Sequence, residues 1–79
     1  MPTPNHPALP LCCQLAAQPE RTLFAFWLDA LLTDPAREFR RNAELILKGM
    51  LCGYTEIGLI DNNQRRAMSN ELTAFGATV

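Results

Sequence analysis

Apolar residues recur at three- and four-residue steps from position 36 to position 57: Ala36, Phe39, Ala43, Ile46, Leu47, Met50, Leu51, Tyr54 and Ile57. That period places them on one face of an α-helix. Between them Arg37, Glu38, Arg40, Arg41, Glu44 and Lys48 make a wet face, where the pairs Arg40/Glu44 and Glu44/Lys48 each add ~0.2–0.5 kcal/mol. Asp34-Pro35 is a start signal, because an aspartate accepts from an orphan backbone N–H and the fixed φ of proline suits the first helical position. Gly58 is a stop signal, a residue free to take the left-handed conformation, with Leu59 placed to fold back on the last turn. The pattern predicts a helix over 35–57, about 34 Å long at 1.5 Å per residue.

A short reversal follows, and Asp61 with Gln64 has the spacing of a capping box. The next helix, over 62–75, turns Ala67 or Met68, Leu72 and Phe75 to the core and meets a natural terminal glycine at Gly76. These two helices form an antiparallel hairpin. Upstream, Gln18-Pro19-Glu20 repeats the start signal for a helix over 19–33. The body of that helix, 23–32, is apolar on almost every face, so it asks for burial on more than one side. It is either the central helix of the bundle or a helix that meets a partner chain with part of its surface. Pro2, Pro4, Pro7 and Pro10 make the preceding stretch an extended, flexible arm, with Pro10 able to open one short helical turn through Ala17. The expected architecture is therefore all-α: a three-helix bundle (19–33, 35–57, 62–75) in one helical domain, 18–79, behind a Pro-rich arm, 1–17.

A chain of 79 residues has a thin margin of stability, and bundles of this size often gain by oligomerising. Gly49 and Gly53, four apart inside the long helix, each cost about 1 kcal/mol relative to alanine and need a packing reason. One reason is a close helix crossing, within the chain or across a homodimer axis. The other is room for a bulky neighbour such as Trp27.

Composition removes several classes of function. The longest apolar run is interrupted by Asp29 and falls well short of the ~20 residues of a membrane span. No basic segment followed by an apolar one opens the chain, and three cysteines, two of them adjacent, do not make a disulfide framework. A reducing cytoplasm is the expected home. His6 falls in the arm without fixed geometry, and Cys52 reads as a small hydrophobe of the long helix. His6, Cys12, Cys13 and Cys52 form a conceivable zinc set, but vicinal cysteines lack the usual ligand spacing. No phosphate loop, zinc-protease helix or nucleophile elbow is present. The expectation is a non-enzyme with no cofactor, no metal and no small-molecule ligand.

A helical hairpin is also the skeleton of a helix-turn-helix, and the last helix carries Asn62, Asn63, Arg65, Arg66, Ser69 and Asn70, residue types that read base edges. Against nucleic acid stand a net charge of −1 and a split of the arginines into Arg37/Arg40/Arg41 and Arg65/Arg66. In an antiparallel hairpin those groups lie near opposite ends, roughly 25–30 Å apart along the helix rise, and do not make one stripe. Tyr54 also stands four positions before the turn glycine, where a helix-turn-helix usually has a small residue.

By size and lack of catalytic groups, rather than by any motif, the chain resembles small accessory proteins borne by phages and mobile elements, some of which block host machinery such as CRISPR complexes. What the sequence favours is a protein-binding inhibitor or adaptor of a larger complex, with Phe24, Phe26 and Trp27 as apolar contacts, Arg65, Arg66 and Asn70 on a polar rim, and a homodimer contact at Gly49 and Gly53. The alternative is a dimeric, helix-turn-helix-like DNA-binding regulator.

Overall fold

The computed structural model describes residues 5–77, and among these the chain is helical with no strand. Pro2 and Pro4 lie outside the described residues. Four helices follow in order: α1 (Pro10–Ala16), α2 (Thr22–Thr33), α3 (Arg37–Glu56) and α4 (Asn62–Ala77). They close a ring in chain order, α1 against α2, α2 against α3, α3 against α4 and α4 back against α1. One cluster fills the middle, built from Leu9, Cys12 and Leu15 at α1, Phe24, Leu28 and Leu31 of α2, Ala43, Leu47 and Leu51 of α3, and Met68 and Leu72 of α4.

Where three helices were expected there are four: the short turn that Pro10 can open is a seven-residue helix, α1, packed into the bundle. Seven residues are too few to hold a helix alone, since isolated helices under ~12–15 residues are marginal in water. Tertiary contacts hold this one. Pro10 takes the first position and lacks an N–H, and the next two N–H groups, of Leu11 and Cys12, both donate to the Glu71 carboxylate of α4 at 3.0–3.2 Å. An acid at a helix N-terminus is favoured by the macrodipole as well as by these bonds. The Cys12 thiol lies against the Met68 carbonyl, 3.6 Å away, and Leu9 is fully buried just before the helix. His6 is likewise fixed: its ring meets Phe75 edge-on at 5.3 Å, and its Nδ1 accepts from the Ala8 N–H at 3.1 Å.

Two start signals act later than their residues suggest. The residue before a proline is pushed away from helical backbone, and Asp34 is extended (ψ 127°) before Pro35. Its Oδ1 accepts the Ala36 N–H at 2.8 Å, so Ala36 becomes the cap and α3 begins at Arg37. Pro19 and Glu20 sit in a turn closed by Arg21 N–H donating to the Gln18 carbonyl, and α2 begins at Thr22.

The hairpin of α3 and α4 forms as its signals require. Gly58 has φ +79°, Leu59 N–H donates to the Tyr54 carbonyl at 2.9 Å, and Gly58 N–H donates to the Thr55 carbonyl at 3.2 Å, the two bonds of a Schellman stop. Asp61 and Gln64 then cap each other reciprocally at 2.7 and 2.8 Å. Leu59 stays exposed, and Ile60 enters the core in its place. Gly76 does not end α4, which runs on to Ala77; a Cβ there would run into the Glu44 carboxylate of α3. Lys48 fixes the same seam by donating to Glu44 at 3.2 Å and to the Thr73 hydroxyl at 2.7 Å. Arg40 does not join that pair and donates instead to the Asp34 carbonyl at 3.1 Å.

Candidate docking surface

The apolar stripe of α3 is wider than the core that covers it. Ala43, Leu47 and Leu51 are buried and Met50 and Tyr54 half-buried, which is the arc facing α2 and α4. Phe39 (62% exposed), Ile46 (37%) and Ile57 (72%) belong to the same sequence period but stand on its outer edge, in solvent. Leu45 is 60% exposed beside them.

Across from this edge α2 turns outward Leu23 and Phe26, with Trp27 half-buried between core and surface. Phe26 and Trp27 pack edge-to-face, 5.4 Å between ring centroids. Together the two helices frame a groove of about 460 Å³ whose apolar walls are Phe26, Trp27, Ala30, Phe39, Leu45 and Ile46, with Asp34 and Asn42 as its polar groups. From Ile46 the stripe continues at helical steps through Gly49 and Gly53 to Ile57. The exposed side chains sum to on the order of 600 Å² of apolar surface, at the upper end of the largest patches, ~300–600 Å², that monomers carry.

The expected contact residues separate. Phe26 and Trp27 belong to this surface. Phe24 does not: it is fully buried, with Tyr54 6.0 Å away, because two steps along a helix turn a side chain by about 200° and carry it from the outer face to the core. Arg21 continues the contact, its guanidinium 5.1 Å from the centre of the Tyr54 ring, and ties the start of α2 to the end of α3. Arg65, Arg66 and Asn70 sit on α4, and none of them lines the groove. Gly49 and Gly53 are exposed, and nothing lies within 4 Å of where a Cβ would stand on either. Neither a crossing inside the chain nor the Trp27 ring therefore explains them.

A second cleft, about 280 Å³, lies between the start of α3 and the end of α4, lined by Arg37, Arg40, Arg41 and Glu44 with Thr73 and Gly76. Neither Arg65 nor Arg66 lines it. Among the described residues no three His, Cys, Asp or Glu side chains are placed to hold a metal ion, and the zinc set is split between buried Cys12 and Cys13 on α1 and exposed Cys52 on α3. Burial first, and then the Glu71 charge beside it, push the Cys12 thiol far above its ordinary value of 9.0, which suits a packed thiol and not a nucleophile. Among the described residues no helix is long and apolar enough to cross a membrane.

Sequence reading missed Phe39, Leu45 and Ile46 as surface residues and Glu71 as a structural one. Phe39 and Ile46 carry no signal that separates them from core positions, whereas Leu45 falls outside the stripe, two residues from both Ala43 and Leu47. Glu71 carries one: it stands at the edge of the arc of Met68, Leu72 and Phe75, an acid beside the apolar side of a helix, where a polar partner is required. Compared with known proteins, the chain matches no family model, and no curated protein and no solved structure is detectably similar to it.

Proposed function

We propose that this chain works as a non-enzymatic protein-binding module, an inhibitor or adaptor of a larger protein complex, of the kind carried by phages and mobile elements. The observation that carries this reading is the uncovered apolar face of α2 and α3. At ~25 cal/mol per Å², covering about 600 Å² is worth on the order of 15 kcal/mol before the ~4–15 kcal/mol cost of association is subtracted. A surface of that size has something to gain from a partner, and rigid helices present it without an ordering cost. Phe26 and Trp27 act as anchors at its α2 edge, since well-packed aromatics dominate binding energy. Arg65, Arg66 and Asn70 act on a separate polar surface. Three free thiols suit a reducing cytoplasm as the place of action.

The test is affinity purification of the full chain from its native cell, comparing the unmodified protein with Phe26→Ser, Trp27→Ala and the pair Arg65→Ala/Arg66→Ala. The expected result is a defined set of proteins retained by the unmodified chain and lost from Phe26→Ser and Trp27→Ala. Equal retention by all forms, or retention of nothing above background, removes the reading.

A further inference from the structure

We infer that the cleft between the start of α3 and the end of α4 binds a phosphate monoester, a compact oxyanion of about two charges. The site is separate from the apolar face of α2 and α3 and lies on the opposite edge of α3. Arg37, Arg41, Glu44 and Lys48 follow one another at steps of four, three and four, which sets them along one edge of the helix, with Arg40 beside them. That edge faces α4, because Lys48 donates to the Thr73 hydroxyl at 2.7 Å and Glu44 fills the place where Gly76 lacks a side chain. Lys48 also pairs with Glu44 at 3.2 Å and so neutralises the carboxylate that lines the cleft. Arg40 is held by its bond to the Asp34 main-chain carbonyl. The side chains of Arg37 and Arg41 are exposed and make no hydrogen bond or ion pair among the described residues.

Charge selects the ligand. Four cations against Glu44 leave +3 at this end of the hairpin on a chain of net charge −1, so the remainder of the protein carries −4. Fold stability alone disfavours that concentration: Arg37 and Arg41 are like charges four apart on a helix, and the positive end of the α3 dipole opposes cations in its first turns. The same dipole favours an anion, and Ala36, at the cap position, offers no side-chain acceptor to the first N–H groups. The end of α4 brings a partial negative charge of about half a unit, well short of the excess it faces. A carboxylate carries one charge and is matched by one guanidinium fork. A phosphate monoester at neutral pH carries about −1.5 to −2 with three acceptor oxygens, enough to engage several guanidiniums at once. The cleft volume, about 280 Å³, suits a small phosphate ester and lies just below the ~300–1,000 Å³ of drug-sized ligand sites. A nucleic acid or a membrane calls for a basic stripe or face, and outside the cleft the chain is acidic.

The experiment titrates phenyl phosphate into the full chain at constant ionic strength and about pH 7.5, where the phosphate is a dianion, and follows amide chemical shifts. Two double variants stand beside it: Arg37→Gln with Arg41→Gln, and Arg65→Gln with Arg66→Gln as a charge-matched control outside the cleft. All four side chains lie outside the core, so both variants keep their fold. Saturable shifts are expected at residues 37–41 and 73–77, with affinity lowered ~10-fold or more in the cleft variant and by no more than about twofold in the control. Benzoate, the same ring with a single charge, is expected to bind at least ~10-fold more weakly. No saturable shift, an equal loss in the control, or benzoate binding as tightly as phenyl phosphate overturns the inference. So does a single-stranded oligonucleotide that displaces phenyl phosphate and binds with a steeper dependence on salt. Phosphatase treatment of a native-cell lysate separates the two sources of such a group. Proteins lost from the chain both on that treatment and in the cleft variant place the phosphate on a partner's side chain; an unchanged retained set places it on a free small molecule. The cleft and the apolar face fail independently. Absent phenyl phosphate binding, with proteins still lost from Phe26→Ser, removes the cleft alone, and the reverse removes the apolar face alone.

Discussion

Helix α1 buries four of its seven residues, whereas α3, with twenty, buries three. The difference lies in the neighbours. α1 has a helix on either side, α2 and α4, and is short enough for both to reach nearly all of it, and Glu71 from α4 satisfies the N–H groups that such burial would otherwise strand. α3 also has two neighbours, α2 and α4, but a long helix with two flanking helices keeps a wide arc in water, and here the edge of that arc next to α2 is apolar from Phe39 to Ile57 while the rest is polar. Burial is thus decided by coverage. Apolar character along the chain sets what gains from coverage and does not say where coverage comes from.

The sharpest way to break this contrast is to cut the same kind of side chain on both sides of it. Leu9→Ala, at the edge of α1, is expected to cost about 2–4 kcal/mol, and Phe39→Ala less than ~0.5 kcal/mol, in urea unfolding of the dilute monomer. Comparable losses from both would mean that the outer stripe is core. Removal of the cap comes next: Glu71→Ala strands the Leu11 and Cys12 N–H groups and should cost ~2 kcal/mol, with faster amide exchange across α1 than across α3. Uniform exchange would show that α1 does not depend on α4. At the hairpin, Gly58→Ala forces a side chain into a left-handed backbone and is expected to cost ~1–2 kcal/mol in the same unfolding assay, while Gly76→Ala displaces only the carboxylate end of Glu44 and changes stability by less.

The smallest effect concerns the thiols. Folding holds Cys12 protonated above its ordinary value of 9.0, so the unfolded chain binds fewer protons once the pH passes that value. Stability is intact below pH 9 and falls as the pH rises beyond it, and Cys12→Ala should flatten that part of the profile in thermal melts. At about pH 8, just below the ordinary thiol range, an alkylating reagent should modify Cys52 at once and reach Cys12 and Cys13 only through opening of α1.

Periodicity and caps made much of the fold legible. The steps from Ala43 to Leu51, the glycine at 58 and the Asp61/Gln64 pair each act through the local backbone, and local chemistry is what a sequence displays. The candidate surface was legible in part. Phe26 and Trp27 stand out as aromatics on a helix with too many apolar faces, and Gly49 and Gly53 as costly residues without an evident partner. Phe24 was indistinguishable from Phe26 because both lie on a helix apolar nearly all round, and Phe39 from Ala43 because both obey the same period.

By itself, the sequence determined that this protein is helical and where its hairpin turns, and it left open whether its apolar helix faces are all buried within the chain. Tertiary structure alone decided that the segment after Pro10 docks and that the far edge of α3 does not. The physical reason is that a helix period marks every residue that gains from leaving water, while the number and placement of neighbouring helices choose which of them do so within one chain.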